Sequence, residues 1–339
     1  MKKAILAVLI PSLLGATSAF AGGVDLIKND DMKLNFNGDI DLKSWVTLKD
    51  GDSAGTKTEV IFDDIDFDFE YYMSDDLKII AGMDLTSDTG SETVDNNPVT
   101  VDLAWVGFSS DTYGKVMWGN IETSWDPLGI DNSETDGGMA SGWLDGVGTT
   151  HENAIRYDYT VGDFIIGGTF GITGDAKADD KLTQLTVKYT PGDLLIFAGI
   201  GQTTIGTASQ GGYATGDKAT YASLEVEYDF GDLTAAMLIS KEDQDLAAGD
   251  ISSTGFEVDV TYQATSKLKL ATGFDFISQD VDANDDLTFF YGAAIYKLHN
   301  SASIRYELGR YDGQMTRFDE SSKNYNNEIK TGILLNLQF

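Results

Sequence analysis

Apolar and polar residues alternate along most of the chain beyond its first twenty or so residues, in segments of about ten residues that end at turns. In the last segment, 331–339, Ile333, Leu335 and Leu337 lie on one face, while Asn336 and Gln338 lie on the other. Because one face stays polar from end to end, the pattern predicts an all-β chain that forms a transmembrane antiparallel β-barrel with an aqueous interior.

The connections between these segments are of two kinds that alternate strictly. Short ones lie at 75–76, 111–114, 162–163, 191–193, 231–232, 265–266 and 299–300. Long ones centre on Asp50, Gly90, the stretch 119–153, Gly174, Gly211, Ala247, Asn284 and Gln314. Tight turns at one rim and long loops at the other are typical of outer-membrane barrels. The count predicts sixteen strands, with a short segment at 24–27 helping to close the first strand onto the last.

Two soluble alternatives, an exported sandwich and a β-solenoid, fit less well. The chain has no self-similar repeat of 20–50 residues, and a sandwich would require strands that are buried on both faces. Aromatic residues near strand ends, among them Tyr157, Phe289 and Tyr291, are expected to form interfacial girdles.

The alternation stops only in the stretch 119–153, and we expect its central part, the loop 121–152, to fold into the lumen and narrow it. A long irregular insert in a compact β domain is commonly functional. The loop is rich in turn-forming and acidic residues, and the predicted constriction acids are Asp126, Asp131, Glu134 and Asp136.

The first 21 residues have the features of a secretory signal peptide. Lys2 and Lys3 precede the apolar run 4–16, and Ala19-Phe20-Ala21 forms a small-residue cleavage site. The predicted mature chain is therefore 22–339, and it contains no run of eighteen apolar residues.

Charge and composition exclude several classes of function. The full chain has a net charge of −32, and removal of the two signal lysines makes it −34. A nucleic-acid partner is excluded, because phosphate binding requires basic patches. The absence of cysteine excludes disulfides and thiol chemistry.

No residue pattern indicates an enzyme, a cofactor or a metal site. An outer-membrane hydrolase is a rival class, but it would need one of the only two histidines, His151 or His299, as its base. Asp50, Asp52 and Gly55 partly match a calcium loop, yet Ile61 occupies the position where that loop carries an acid.

The chain resembles the general, trimeric, sixteen-stranded porins of Gram-negative outer membranes along nearly its whole mature length. The resemblance rests on the strand GKVMWGN (114–120), on NAIRYDY (153–159) and on the terminal Phe339. It also rests on the third loop, where Trp125-Asp126, Gly129, Asp131, and Glu134 or Asp136 precede Gly137-Gly138. It implies a water-filled diffusion channel for small hydrophilic solutes in the outer membrane.

In that family the third loop holds carboxylates across the pore from a ladder of Lys and Arg, and this sequence departs from most of the ladder. Acids stand at three of the corresponding places, Asp39, Asp64 and Asp102. The cations assigned to the constriction are Lys43 and Arg156. Carboxylates on both sides of a narrow aqueous passage concentrate cations, so we expect a cation-preferring pore.

The resemblance also implies partners, and it leaves one alternative function open. The second loop, 87–99, corresponds in position to the loop that latches onto a neighbouring subunit, which implies a homotrimer surrounded by outer-membrane lipid and lipopolysaccharide. Acidic outer loops could bind divalent cations that bridge lipopolysaccharide phosphates. The alternative is a saccharide-specific porin in which Trp45, Trp118, Trp125 and Trp143 form a stacking track.

Overall fold

The protein is described by a computed structural model. It covers residues 23–49, 52–88, 99–128, 130, 133, 148–171, 181–206, 215–247, 249–280, 286–315, 323–325 and 327–339. The predicted signal peptide and most of the second loop lie outside these described residues.

The described part of the chain consists of strands and turns. The strands are β1 Val24–Lys28, β2 Met32–Lys49, β3 Asp52–Tyr72, β4 Leu77–Asp88, β5 Thr100–Ser110, β6 Gly114–Glu122, β7 Thr150–Val161, β8 Phe164–Gly171, β9 Lys181–Tyr189, β10 Leu194–Thr204, β11 Lys218–Asp229, β12 Leu233–Asp245, β13 Ile251–Gln263, β14 Leu268–Gln279, β15 Leu287–His299, β16 Ala302–Asp312, β17 Gln314–Met315, β18 Lys323–Asn324 and β19 Glu328–Gln338. Among these residues no helix is long and apolar enough to cross a membrane.

Sixteen strands close into a single antiparallel barrel, as the sequence pattern predicts. Each strand from β2 to β15 pairs with its successor, β16 pairs with β19, and β19 pairs with β2. Closure leaves no free sheet edge. A sheet that spans a membrane must be closed in this way, because its backbone groups cannot bond to water there.

The first and last described strands, β1 and β19, lie along one edge of β2. β1 pairs with the start of β2, from Val24 opposite Phe36 to Lys28 opposite Lys33, and β19 pairs with the rest of it. At the junction the Gly38 amide donates to the Phe339 carbonyl at 3.1 Å, and the Phe339 amide donates to the Gly38 carbonyl at 2.9 Å. The prediction that 24–27 helps to close the barrel is confirmed, with the strand extending to Lys28.

All seven predicted short turns are present, and one predicted long loop is not. Glycines with positive φ occupy the tight turns, for example Gly114 at 86° and Gly192 at 63°. The long loop expected around Asp50 is wrong, because β2 runs to Lys49 and β3 begins at Asp52. Both strands are long, 18 and 21 residues, so the polar residues on either side of Asp50 belong to β2 and β3 instead of to a long loop.

The alternation separates an apolar outer face from a polar inner face. Val106, Phe108 and Trp118 are exposed on the outside, whereas Glu225, Glu257 and other acids are buried on the inside. One expectation is corrected: Phe289 and Tyr291 are not girdle residues, since both are at most 1% exposed and face inward. Three consecutive aromatic residues leave the phase of the alternation undefined, and in the structure Phe290 is the one that points outward, 57% exposed.

Candidate functional site

The third loop leaves the barrel wall at a bulge between β6 and β7. Gly119 has a φ of 141°, and a Cβ there would lie 2.4 Å from the Ala104 carbonyl oxygen. The register between β6 and β7 shifts between Gly119 and Ile121. A residue without a side chain is needed at this point, and the bulge turns the following residues away from the ladder.

Arg156 of β7 holds the beginning of this loop. Its Nη1 donates to the Thr123 carbonyl at 2.8 Å and to the Glu122 carbonyl at 3.3 Å, while Nε donates to Asp158 Oδ2 at 2.9 Å. Backbone and hydroxyl groups of Thr123 bond to the Thr149 and Gly148 carbonyls at the other end of the loop. Both ends of the loop are therefore tied together at the wall.

The described part of the loop then packs onto the inner wall, which confirms that it folds into the lumen. The Trp125 ring is 1% exposed and meets the Tyr221 ring edge to face at 4.9 Å. Gly199 and Gly201 leave space on β10 for these two rings, since a Cβ at either position would lie under 3.0 Å from one of them. Further along, Ser133 donates to Glu307 Oε1 of β16 at 2.7 Å.

The wall beneath the loop is filled by aromatic rings and buried acids. Phe289 stacks on Tyr311 at 4.4 Å, and Tyr311 stacks on Tyr325 of the last loop at 5.6 Å. Six carboxylates on this wall are at most 3% exposed: Glu225, Glu242, Glu257, Asp259, Asp275 and Glu307. Arg305 donates to Glu307 at 2.7 Å, and the Tyr291 hydroxyl donates to Asp259. These acids are therefore buried rather than exposed to an open passage.

Two adjoining cavities lie on the opposite wall, formed by β2–β7. The first, which we call the upper cavity, has a volume of about 260 Å³ and is lined by Asp66, Asp68, Gly82, Met83, Asp84, Leu103, Trp105, Lys115, Met117, Ile121, Glu122 and Arg156. The second, the lower cavity, has a volume of about 340 Å³ and lies nearer the short turns. It is lined by Lys33, Asn35, Asp68, Phe69, Glu70, Lys78, Ile80, Ala81, Trp105, Ser109 and Lys115.

Two predicted constriction residues, Asp39 and Lys43, lie near each other in the structure. Asp39 and Asp41 accept hydrogen bonds from Asn336 Nδ2 at 2.8 and 2.7 Å, and Lys43 lies 3.3 Å from Asp41. Asp126 is exposed at the start of the loop. Arg156 lines the upper cavity, but as a paired cation that holds the loop.

The other predicted residues are not brought into this group. Asp131, Glu134 and Asp136 lie outside the described residues, as does the side chain of Asp64. Asp102 lies at a register shift where Asp84 pairs with Leu103 and Leu85 pairs with Val101. It is exposed and lines neither cavity, and the inner-wall acid next to this position is Asp84.

The remaining candidate constellations do not assemble. Trp118 is 61% exposed on the outer face and Trp125 is buried, so they cannot form one stacking track, and Trp143 lies outside the described residues. His151 lies near the loop and His299 at the end of β15. Within the described ranges, no group of three His, Cys, Asp or Glu residues is arranged to hold a metal ion.

Sequence reasoning missed three lumen residues, Trp105, Lys115 and Asp84. The alternation contains a signal for Trp105. It lies at an inward position between the outward-facing residues Ala104 and Val106. A large aromatic residue at an inward position is the feature that could have identified this wall.

Comparison with known proteins decides the family. The profile of the Gram-negative porins matches residues 5–316. The chain belongs to this family. A comparison with curated proteins finds no match.

Solved porin structures share the fold of this chain. OmpT of Vibrio cholerae is 22% identical with a TM-score of 0.74, covering 92% of this chain and 99% of its own. OmpF of Salmonella typhi, solved with daunomycin, is 16% identical with a TM-score of 0.74, covering 92% and 99%. An anion-selective porin from Comamonas acidovorans is 15% identical with a TM-score of 0.72, covering 91% and 100%.

The family and the fold together support an outer-membrane channel that crosses the membrane many times, rather than an enzyme. At these identities the solved structures establish the fold alone. One of them is an anion-selective porin, so the fold does not determine the sign of the charge that passes.

Proposed function

We propose that this porin forms a water-filled channel that passes small hydrophilic solutes and prefers cations. The observation that carries the proposal is the charge of the upper cavity. Its lining includes four carboxylates, Asp66, Asp68, Asp84 and Glu122, and two cations, Lys115 and Arg156. Arg156 is already paired with Asp158, so the carboxylates dominate the potential in this space.

The distribution of cations along the strands supports the same proposal. Several inward cations lie two residues from an acid on the same strand, which places both on one face. Lys43 lies 3.3 Å from Asp41, Lys57 contacts Glu59, and Arg156 lies 2.9 Å from Asp158. A cation in such a pair contributes little net field across the lumen. At a few ångströms, a carboxylate that lines the upper cavity stabilises a passing cation by on the order of 1 kcal/mol.

The test is the zero-current potential across a planar bilayer with a KCl gradient, measured with purified mature protein. The proposal is supported if the sign of the potential shows that K⁺ permeates more readily than Cl⁻. A potential near zero, or of opposite sign, contradicts the cation preference while leaving the channel intact. Absence of conductance contradicts the channel itself.

We also propose that the chain is exported with cleavage of residues 1–21 and assembles as a homotrimer in lipopolysaccharide-containing membrane. Hydroxyl groups on the outer face support a protein neighbour: Ser44 bonds to Thr58 at 3.0 Å, and Thr331 bonds to Tyr306 at 3.2 Å. Polar groups suit a subunit contact better than lipid tails. One solved structure of OmpT is described as a trimer form. N-terminal sequencing should begin at Gly22, and cross-linking should stop at three chains.

A further inference from the structure

The upper and lower cavities share three residues, Asp68, Trp105 and Lys115. They therefore adjoin at these three residues. Their volumes of about 260 and 340 Å³ are together in the range of small-molecule sites.

The Trp105 indole is fixed against the wall at this junction. Gly82 lies opposite Trp105 in the ladder, and a Cβ at Gly82 would lie only 2.5 Å from Trp105 Cε2. The ring therefore rests on the backbone of β4. The Lys115 ammonium lies 5.3 Å from the centre of the ring, within the range of a cation–π contact. A ring held in this way offers a rigid surface for the body of a solute.

The two cavities differ in charge. The upper cavity has the acid excess described above. Three of its acids, Asp66, Asp84 and Glu122, do not line the lower cavity. The lower cavity is lined by three lysines, Lys33, Lys78 and Lys115, and by two acids, Asp68 and Glu70. Lys78 lies 2.8 Å from Glu70 and Lys33 lies 3.6 Å from Asp25, so the lower end is close to neutral. A solute that spans both cavities meets an excess of carboxylates at one end and a nearly neutral wall with lysines at the other.

We propose that these cavities form one binding site for a small zwitterion of the amino acid or dipeptide class. The solute's ammonium group lies among the upper carboxylates, its carboxylate lies near Lys115 and Lys78, and its body rests on Trp105. Charge-assisted hydrogen bonds at both ends give the site its selectivity. A neutral sugar could contact the ring but would leave the carboxylates and lysines of the two cavities unused. This inference rests on the proposed channel function, because the site lies in the path that the channel provides.

The first experiment is a calorimetric titration of the purified protein with four probes. Glycylglycine carries both charges, N-acetylglycylglycine lacks the ammonium group, glycylglycinamide lacks the carboxylate, and sucrose has neither. We expect saturable binding of glycylglycine and about tenfold weaker binding of each singly charged analogue. Equal affinity for all four probes, or no heat with glycylglycine, overturns the proposal.

Matched substitutions place the site. Lys115→Gln should weaken glycylglycine binding about tenfold and leave glycylglycinamide unchanged. Its control is Lys267→Gln in an exposed turn between β13 and β14. Trp105→Leu should weaken both probes, whereas Trp118→Leu, on the outer face of the adjacent strand, should weaken neither. If Trp105→Leu does not fold, Lys115→Gln still decides, and an equal loss in Lys267→Gln overturns the proposal.

Titration and conductance separate the two proposals. Cation-selective channels without saturable glycylglycine binding overturn the zwitterion site and leave the channel standing. Binding of glycylglycine by a protein that conducts no ions overturns the channel and leaves the site standing. With both intact, glycylglycine should reduce single-channel current in a saturable way that sucrose does not reproduce.

Discussion

At the scale of single residues, the net charge of the inner wall depends on which cations have a neighbouring acid. Lys43, Lys57 and Arg156 each have an acid two positions away on the same face. Because strands place alternate residues on one face, a cation and an acid with this spacing are neighbours, and their charges offset each other. Asp68 has no Lys or Arg two positions away on its strand, and we expect it to contribute to selectivity.

Asp68→Asn should lower the zero-current potential in a KCl gradient, because Asp68 lines both cavities. Losing one of the four upper carboxylates should remove on the order of 1 kcal/mol of cation stabilisation. Asp102→Asn is the matched control, since Asp102 lines neither cavity. A larger effect from Asp102→Asn than from Asp68→Asn would contradict the assignment of the wall.

Gly199→Ala should destabilise the barrel and shift its conductance. The added Cβ would lie 2.5 Å from Cζ3 of Trp125, and overpacking of this kind costs about 1–3 kcal/mol. The displaced ring would move the loop that it anchors. The control is Gly292→Ala, where a Cβ would meet nothing within 4 Å. Thermal unfolding and single-channel conductance are the measurements, and equal behaviour of the two variants would refute the role of Trp125.

At the scale of elements, the third loop is held at its base, along its length and at a distant strand. Arg156 binds its base, Trp125 packs on β10 and β11, and Ser133 reaches β16. The last loop contributes Tyr325 to the same buried wall. The loop is therefore a packed part of the barrel interior in its described portion.

Arg156→Gln should loosen the base of the loop, because it removes hydrogen bonds to two carbonyls and the charge partner of Asp158. Hydrogen bonds of a charged group are worth about 1.5–3 kcal/mol, so the midpoint of denaturant unfolding should fall. Arg310→Gln serves as the control, since Arg310 and Asp312 are 60% and 51% exposed and such pairs are worth about 0–1 kcal/mol. Comparable losses in both variants would count against the proposed anchor.

A carboxylate joins two short turns at the other rim. Asp76 accepts hydrogen bonds from the Ser110 hydroxyl at 2.9 Å and from the amide and hydroxyl of Thr112 at 3.1 Å. The Ser110 bond first, and then those of Thr112, hold the pKa of Asp76 below its ordinary value of 3.8 against an opposing effect of burial. The clamp thus stabilises the folded state above the ordinary pKa.

Acidification should remove this clamp. Since the pKa of Asp76 is lowered in the folded state, its stabilisation is lost as pH falls below about 4 and through the lowered pKa. The thermal midpoint of the wild type should therefore fall more steeply below pH 4 than that of Asp76→Asn. Asp75→Asn, in the same turn, should retain the wild-type slope. Identical slopes for the wild type and Asp76→Asn would show that the clamp does not contribute.

At the scale of the whole molecule, the acidic interior should make selectivity depend on ionic strength. The Debye length is about 10 Å at 0.1 M salt and about 3 Å at 1 M, so charges across a lumen interact only at low salt. The ratio of K⁺ to Cl⁻ permeability should therefore be higher in dilute KCl than in concentrated KCl at the same gradient. A ratio that does not change with salt would indicate that the charges of the wall do not set selectivity.

The sequence by itself determined the barrel, its sixteen strands and the inward loop. These follow from local rules: strands alternate with a period of two, and loops break that period. The same rules placed Asp39 and Lys43 on one inner face, where the structure has them. They also predicted the short segment at 24–27 that helps to close the barrel.

Only the tertiary structure decided which acids line an open space and which are buried. Glu257 and Asp68 both occupy inward positions, yet Glu257 is fully buried and Asp68 lines both cavities. Two bulges, near Gly119 and at Asp102, shift the alternation by a residue, and Phe289 and Tyr291 lie in a run without a readable phase. Burial depends on which wall the loop packs against, and that choice is made by contacts such as Trp125 with Gly199 and Tyr221, which lie far apart along the chain.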